Sequence, residues 1–435
     1  LRISLKHLLR LPLRSNVVMM RKYFELVLFI CVLGFVAFAN PNEQSTPPPY
    51  VILISFDGFR DDYVEKFNAP NFKEFIRKGA AAESMTPSFP SKTFPNHYTI
   101  VTGLYPGNHG LVDNNFYDKP LDAQYSMGNR ALVENPAFYG GLPLWQLVQE
   151  HGMKSASYFW VGSEVKIKNR FPDYYHKYDG SVPNEDRIAE TIKWLNLPEE
   201  ERPNFISLYF SLVDSQGHAT GPDSPETGKA VLEADRLLGL LMKELESVEL
   251  PVNVIITSDH GMRTVPSTEE NLVAWQDIFE GIDKDTYRFV SNGAHGHVYV
   301  ENEEHKAEIF KVLQSRADHF RVFLKGTFPE EWHYDHDRIG DILFTMEPGY
   351  YISSNGRKQR QINYGGVTGQ HGFDPYVTPE MGAIFYAQGP NIKAGVKLGT
   401  FGNVNVYPFV AHILGIKEYP KIDGNLSYTL SAYQK

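Results

Sequence analysis

Residues 51–60 read VILISFDGFR: six residues, apolar except for Ser55, run straight into an Asp57-Gly58 pair. A run this short and apolar, closed by a turn signal, is the pattern of a strand buried on both faces. Runs of similar character recur at 157–160, 205–210, 252–257, 297–300, 342–346 and 383–387. Helical periods lie between several of them. The clearest spans Glu226 to Leu245, where Val231, Ala234, Leu238, Leu241 and Leu245 form one apolar stripe. Strands alternating with helices predict an α/β sandwich, a mainly parallel central sheet with helices on both faces. In such sheets active sites gather at the carboxyl ends of the strands.

Several of these runs end in a residue type that binds metals. Asp57 follows the first, Asp214 follows FISLYFSLV, and Asp259-His260 follows VIITS. His218 (DSQGH) and His371 (GQHGFD) complete a set of Asp and His residues from four segments. That set suffices for two zinc ions, each with about three protein ligands and an open position. Gly58, Gly217, Gly261 and Gly372 stand beside these residues and permit tight turns. A nucleophile is available in PSKTFPNH, residues 90–97. Pro95 suits the first turn of a helix that continues through Val101, which puts the Thr93 hydroxyl at a helix N-terminus. The field there favours negative charge, and a bound metal would lower the hydroxyl pKa further. Taken alone, Thr93 reads better as an ordinary helix cap.

Composition narrows the function. At 435 residues with 42% hydrophobic and 22% charged residues, the chain can build a large globular core. A net charge of -10 disfavours long polyanions, so no nucleic-acid duplex is expected as a partner. Residues 1–19 read as upstream sequence and 20–39 as a signal peptide: Arg21 and Lys22, an apolar stretch from Leu26 to Val36, then Ala37-Phe38-Ala39. The apolar stretch falls short of the roughly 20 residues that span a bilayer, so no stable membrane anchor is expected. Its removal takes Arg2, Lys6, Arg10, Arg14, Arg21 and Lys22 against Glu25 alone, leaving an exported chain more acidic still. The one cysteine, Cys31, lies in that stretch, so a mature periplasmic or secreted chain has no disulfides. Residues 40–49, polar and proline-rich, read as a linker.

The motifs VILISFDGFR, PSKTFPNHYTIVTGLYPGNHG, DNNFYD, DSQGHATGP, SDHGM and GQHGFD, in this order, resemble the nucleotide pyrophosphatase/phosphodiesterase family of the alkaline phosphatase superfamily. The resemblance runs from about Tyr50 to Gly424. It implies an alkaline-phosphatase-like fold in one catalytic domain over 50–424, with 140–183 partly a capping insertion and 425–435 a C-terminal tail. No nuclease-like or cysteine-rich accessory domain is expected in this length. The resemblance further implies two Zn²⁺, one held by Asp57, Asp259, His260 and Thr93, the other by Asp214, His218 and His371. Thr93 would attack phosphorus, forming a phosphothreonine diester that water then cleaves to a nucleoside monophosphate. Asn114 would hydrogen-bond a phosphoryl oxygen, with Asn115 as second choice. Two divalent ions balanced by three aspartates and an alkoxide leave a near-neutral site, which suits a diester monoanion; Lys92 is available as an extra cation. Phe94 and Tyr178 would flank a base, although Val161 and Glu164 depart from the proline and aspartate of the family's FWPGSD.

The alternatives are a phosphate monoesterase or a lipid or phosphocholine phosphodiesterase on the same fold, and a non-catalytic binding protein. A sulfatase is disfavoured, because its nucleophile derives from a cysteine. His295, His297, His333 and His336 read as surface or core histidines rather than as a third metal site.

Overall fold

In the computed structural model, which describes residues 49–435, the opening run becomes the strand Tyr50–Phe56 in the interior of an eight-stranded sheet. The upstream segment, the signal peptide and nearly all of the linker lie outside the described residues. Across the sheet the strands are Val396–Leu398, Ala80–Ala82, Phe385–Gln388, Val252–Thr257, Tyr50–Phe56, Phe205–Phe210, Ser155–Tyr158 and Tyr174–His176. All run parallel except Phe385–Gln388, which pairs antiparallel with both its neighbours.

Both faces of the central strand are apolar, and each packs against its own helical layer. Val51 and Leu53 join a core with the Thr93–Thr102, Leu144–Glu150 and Val406–Ile413 helices. Ile52 and Ile54 face the Pro70–Lys78, Asn184–Leu195 and Pro225–Leu245 helices. The longest helix starts with Ser224, whose side chain accepts from the N–H of Thr227, and Pro225 in its first turn. Val231, Ala234, Leu238 and Leu241 are buried along its stripe. Leu238→Ala should therefore destabilise the fold by ~2–5 kcal/mol, read as a lower urea midpoint at unchanged slope.

Two stretches depart from the sequence reading. The runs at 297–300 and 342–346 do not join the central sheet. They lie in His295–Val300 and Ile342–Met346, which belong to a separate four-stranded antiparallel sheet with Tyr287–Ser291 and Phe320–Leu324. This sheet has its own core around Phe279, Val298 and Phe344. A short apolar run declares burial but not its pairing partner, which is why sequence alone merged the two sheets. Of the stretch 140–183, expected to be partly a cap, Ser155–Tyr158 and Tyr174–His176 are strands of the central sheet. Residues 425–435 pack on the body rather than trailing from it. Ala432 is buried and its carbonyl accepts from the N–H of Lys393. Among the described residues no helix is long and apolar enough to cross a membrane.

Candidate metal centre and nucleophile

Register places the first carboxylates. Ser55 pairs with Thr257 on the adjacent parallel strand, so Asp57 and Asp259, each two residues further on, leave the sheet at the same level. The N–H of Gly58 donates to Asp259 Oδ1 at 3.1 Å. Asp214 is not at a strand end: its strand stops at Phe210, and Asp214 lies in the first turn of the Leu212–Thr220 helix. Its N–H donates to the carbonyl of Asp57 at 3.0 Å. Helical spacing then sets His218 one turn on, with Nε2 3.4 Å from Asp214 Oδ1. Gly58 makes this approach possible, since it has φ +67° and a Cβ there would lie 2.9 Å from Asp214 Cα.

The three histidines share one orientation. His260 Nδ1 donates to the carbonyl of Gly261, His371 Nδ1 to that of Ser91, and His218 Nδ1 to that of Gly369. Each hydrogen bond fixes the tautomer and leaves an Nε2 lone pair facing the carboxylates, the arrangement of a metal-ligating histidine. His260 Nε2 is 2.9 Å from Asp259 Oδ2 and 3.7 Å from Asp57 Oδ1. The rings of His260 and His371 stack at 3.6 Å. Asp57, Asp259 and His260 group together, and so do Asp214, His260 and His371. His260 thus faces both, while His218 stands further out beside Asp214 and His371.

The donor chemistry fits divalent cations. Asp57 Oδ1, Asp214 Oδ1 and Asp259 Oδ2 are buried without hydrogen-bond partners. Burial, together with the charges of Asp259 and Asp214, pushes the Asp57 carboxyl well above its usual range. Burial, with the charge of Lys92 nearby, holds His371 well below its usual value and keeps it neutral, as a ligand must be. Carboxylates crowded this closely call for positive charge between them.

Thr93 opens the Thr93–Thr102 helix, its Oγ1 3.4 Å from His260 Nε2. It does not serve as the helix cap: the N-cap position is Lys92, which makes no capping hydrogen bond. Lys92 is buried, and its Nζ donates to the carbonyl of His371 at 2.9 Å. Asn114 Oδ1 accepts from the N–H of Phe94 at 2.9 Å, which leaves its NH₂ hydrogens free to meet a ligand. Asn115 Nδ2 donates to Asn292 Oδ1 instead. Lys92, Asn114, Asn115 and Tyr351 line a cavity of about 310 Å³. Phe94 packs on Tyr125, and Tyr178 on Phe159 and Tyr209, so the two rings expected to flank a base are not paired with one another. Glu164 accepts from the backbone N–H of Tyr178 and pairs with Arg130, so it anchors the Tyr178 loop.

Several contributors lay outside the sequence reading. Tyr209 donates its hydroxyl to Asp57 Oδ2 at 2.6 Å. His97 Nδ1 lies 2.9 Å from the carbonyl of Thr93 and 3.3 Å from Asp259 Oδ2. Ser91 Oγ donates to the carbonyl of Phe373 and accepts from the N–H of Gly372, tying the His371 loop to the loop before Thr93. A tyrosine hydroxyl inside the fully buried strand FISLYF was the one available signal, and only for Tyr209. His333 stacks on Tyr105, and the N–H of Arg338 donates to His336, so neither joins the site.

An α/β sheet of alkaline-phosphatase type, carrying buried aspartates and imidazoles at its carboxyl rim beside a helix-terminal hydroxyl, defines a metal-binding protein of the hydrolase kind. The sequence model of the type I phosphodiesterase / nucleotide pyrophosphatase family matches residues 51–374, and the chain belongs to that family. It is 36% identical over 403 residues to a venom phosphodiesterase of Macrovipera lebetinus, covering 87% of this chain and 45% of that protein. With ectonucleotide pyrophosphatase/phosphodiesterase family member 1 of Homo sapiens it shares 35% over 401 residues, covering 90% of this chain and 42% of that one. The chain thus spans less than half the length of these relatives. Among solved structures, murine ectonucleotide pyrophosphatase/phosphodiesterase 5 superposes with a TM-score of 0.81 at 31% identity, covering 88% of this chain and all of that one. A second structure of that mouse protein is described as an inactive threonine-to-alanine variant in complex with AMP.

Proposed function

We propose that the protein is an exported two-zinc nucleotide pyrophosphatase/phosphodiesterase that cleaves nucleotide diester or pyrophosphate bonds to nucleoside monophosphates through Thr93. The observation that carries this reading is the Thr93 hydroxyl, 3.4 Å from His260 Nε2 at the N-terminus of a buried helix. Asp57, Asp259 and His260 would hold one zinc and Asp214, His218 and His371 the other. When bound, the ions stabilise negative charge on the attacking and leaving oxygens. Thr93 Oγ1 bonds to phosphorus as the leaving oxygen departs, giving a phosphothreonine diester, and water then cleaves that bond and restores the hydroxyl. Asn114 NH₂ donates to a phosphoryl oxygen, and its own carbonyl, anchored on Phe94 N–H, keeps the amide from flipping. The mouse relative described as inactive after a threonine-to-alanine change, and in complex with AMP, supports both the nucleophile and the product class.

The exposed ring of Tyr178 is available to stack on a base, an interaction worth about 1–3 kcal/mol. Tyr178→Ala should lower kcat/KM for nucleotide diesters by roughly tenfold, as a loss of about 1.4 kcal/mol gives. A small diester without a base should be cleaved almost as before. Equal losses on both substrates would remove Tyr178 from substrate binding and favour a lipid or phosphocholine diester. The reading as a whole is tested by assaying the zinc-loaded protein on a nitrophenyl nucleotide diester and on the matching monoester. Diester cleavage should dominate; dominant monoester turnover would overturn it.

A further inference from the structure

Beside the site lies a second buried cluster, Asp113, His295 and His297, all fully shielded from solvent. The two histidines are two residues apart on the strand His295–Val300 and so point to the same side. Asp113 Oδ2 meets His295 Nε2 at 2.5 Å and His297 Nε2 at 2.9 Å. These are hydrogen-bond separations. The N–H of Gly340 donates to His297 Nδ1 at 3.3 Å, which puts the ring proton on Nε2, toward Asp113. His297 therefore offers no lone pair to a metal, and His295, with oxygen acceptors facing both ring nitrogens, donates through both to the Gly372 carbonyl and to Asp113.

On its other side the cluster grips the catalytic segments. Asp113 Oδ1 accepts from the N–H of Asn114 at 2.7 Å. His295 Nδ1 donates to the carbonyl of Gly372, next to His371, at 3.0 Å. Asn114 in turn holds the N–H of Phe94, next to Thr93. Taking a carboxylate out of water is costly unless it is paired and hydrogen-bonded, and here both of its oxygens are engaged. The result is a rigid strut through three chain segments: 113–114, 295–297 and 371–372.

We propose that Asp113, clamped by His295 and His297, is a positioning residue that fixes the Asn114 amide against the nucleophile without touching substrate. This rests on the reading of Asn114 as the phosphoryl-oxygen contact. The test is a double-mutant cycle with Asp113→Asn, Asn114→Ala and the double variant, assayed on a nitrophenyl nucleotide diester. Asp113→Asn should lower kcat by on the order of 10–100-fold with KM changed less than about threefold, the signature of a misplaced catalytic group. In the Asn114→Ala background the same substitution should cost less than about threefold, because its target is gone. His297→Gln, which keeps a donor toward Asp113, should retain most of the activity. If Asp113→Asn does not fold, His295→Gln takes its place in the cycle. An impaired Asn114→Ala enzyme in which Asp113→Asn still costs its full factor would overturn the positioning role alone. An Asn114→Ala enzyme with unchanged turnover would overturn the reading of Asn114 as well.

Discussion

Thr93→Ala is expected to lower turnover of nucleotide diesters by on the order of 10⁴-fold or more while leaving the zinc content nearly unchanged. The asymmetry follows from the geometry. Three aspartates and three histidines surround the site, with the imidazoles held by backbone carbonyls, and none of them depends on the Thr93 side chain. The hydroxyl itself is the only part removed. Thr93→Ser should keep partial activity, because a primary hydroxyl still reaches the position beside His260. Comparable turnover of the alanine variant and the parent, measured with metal analysis on the same samples, would exclude attack through this residue.

The second large effect concerns the proposed ligands, and it separates two histidines that look alike in sequence. His260 faces both groups of carboxylates, whereas His371 belongs to one. His371→Ala should therefore release about one equivalent of zinc, and His260→Ala more than one. Both should lose activity by more than the 10–100-fold typical of losing a residue that merely supports a ligand. Elemental analysis of the dialysed variants decides the matter. Full occupancy in the His260 variant would remove that residue from the metal-binding set.

The legible part of the molecule was the part written locally. The strands Phe205–Phe210, Val252–Thr257 and Ile342–Met346 coincide with apolar runs, and the long helix begins one residue before Glu226, where its pattern starts in the sequence. Asp57 and Asp259 could be read as site residues because a parallel sheet delivers whatever follows its strands to one rim. What resisted reading depended on partners distant in sequence. Nothing in HGHVYV says that it pairs with Ile342–Met346 rather than joining the central sheet. Asp214 follows its strand by a helical turn, which shifts it from a strand end to a helix face. Tyr209 and Asp113 take their meaning from Asp57 and from two histidines far along the chain. Of the glycines beside the ligands, Gly58 and Gly372 need positive φ, whereas Gly217 and Gly261 are small because Met262 and the Glu380 carbonyl press against them.

Covalent attack by Thr93 has a stereochemical consequence that does not depend on which step is slow. Each in-line displacement inverts phosphorus, so two in succession give net retention, while direct attack by water gives a single inversion. The decisive measurement is hydrolysis, by the zinc-loaded protein, of a nucleotide diester made chiral at phosphorus, in isotopically labelled water, with the configuration of the monophosphate product determined by phosphorus NMR. Retention is the predicted result; inversion would contradict a phosphothreonine intermediate.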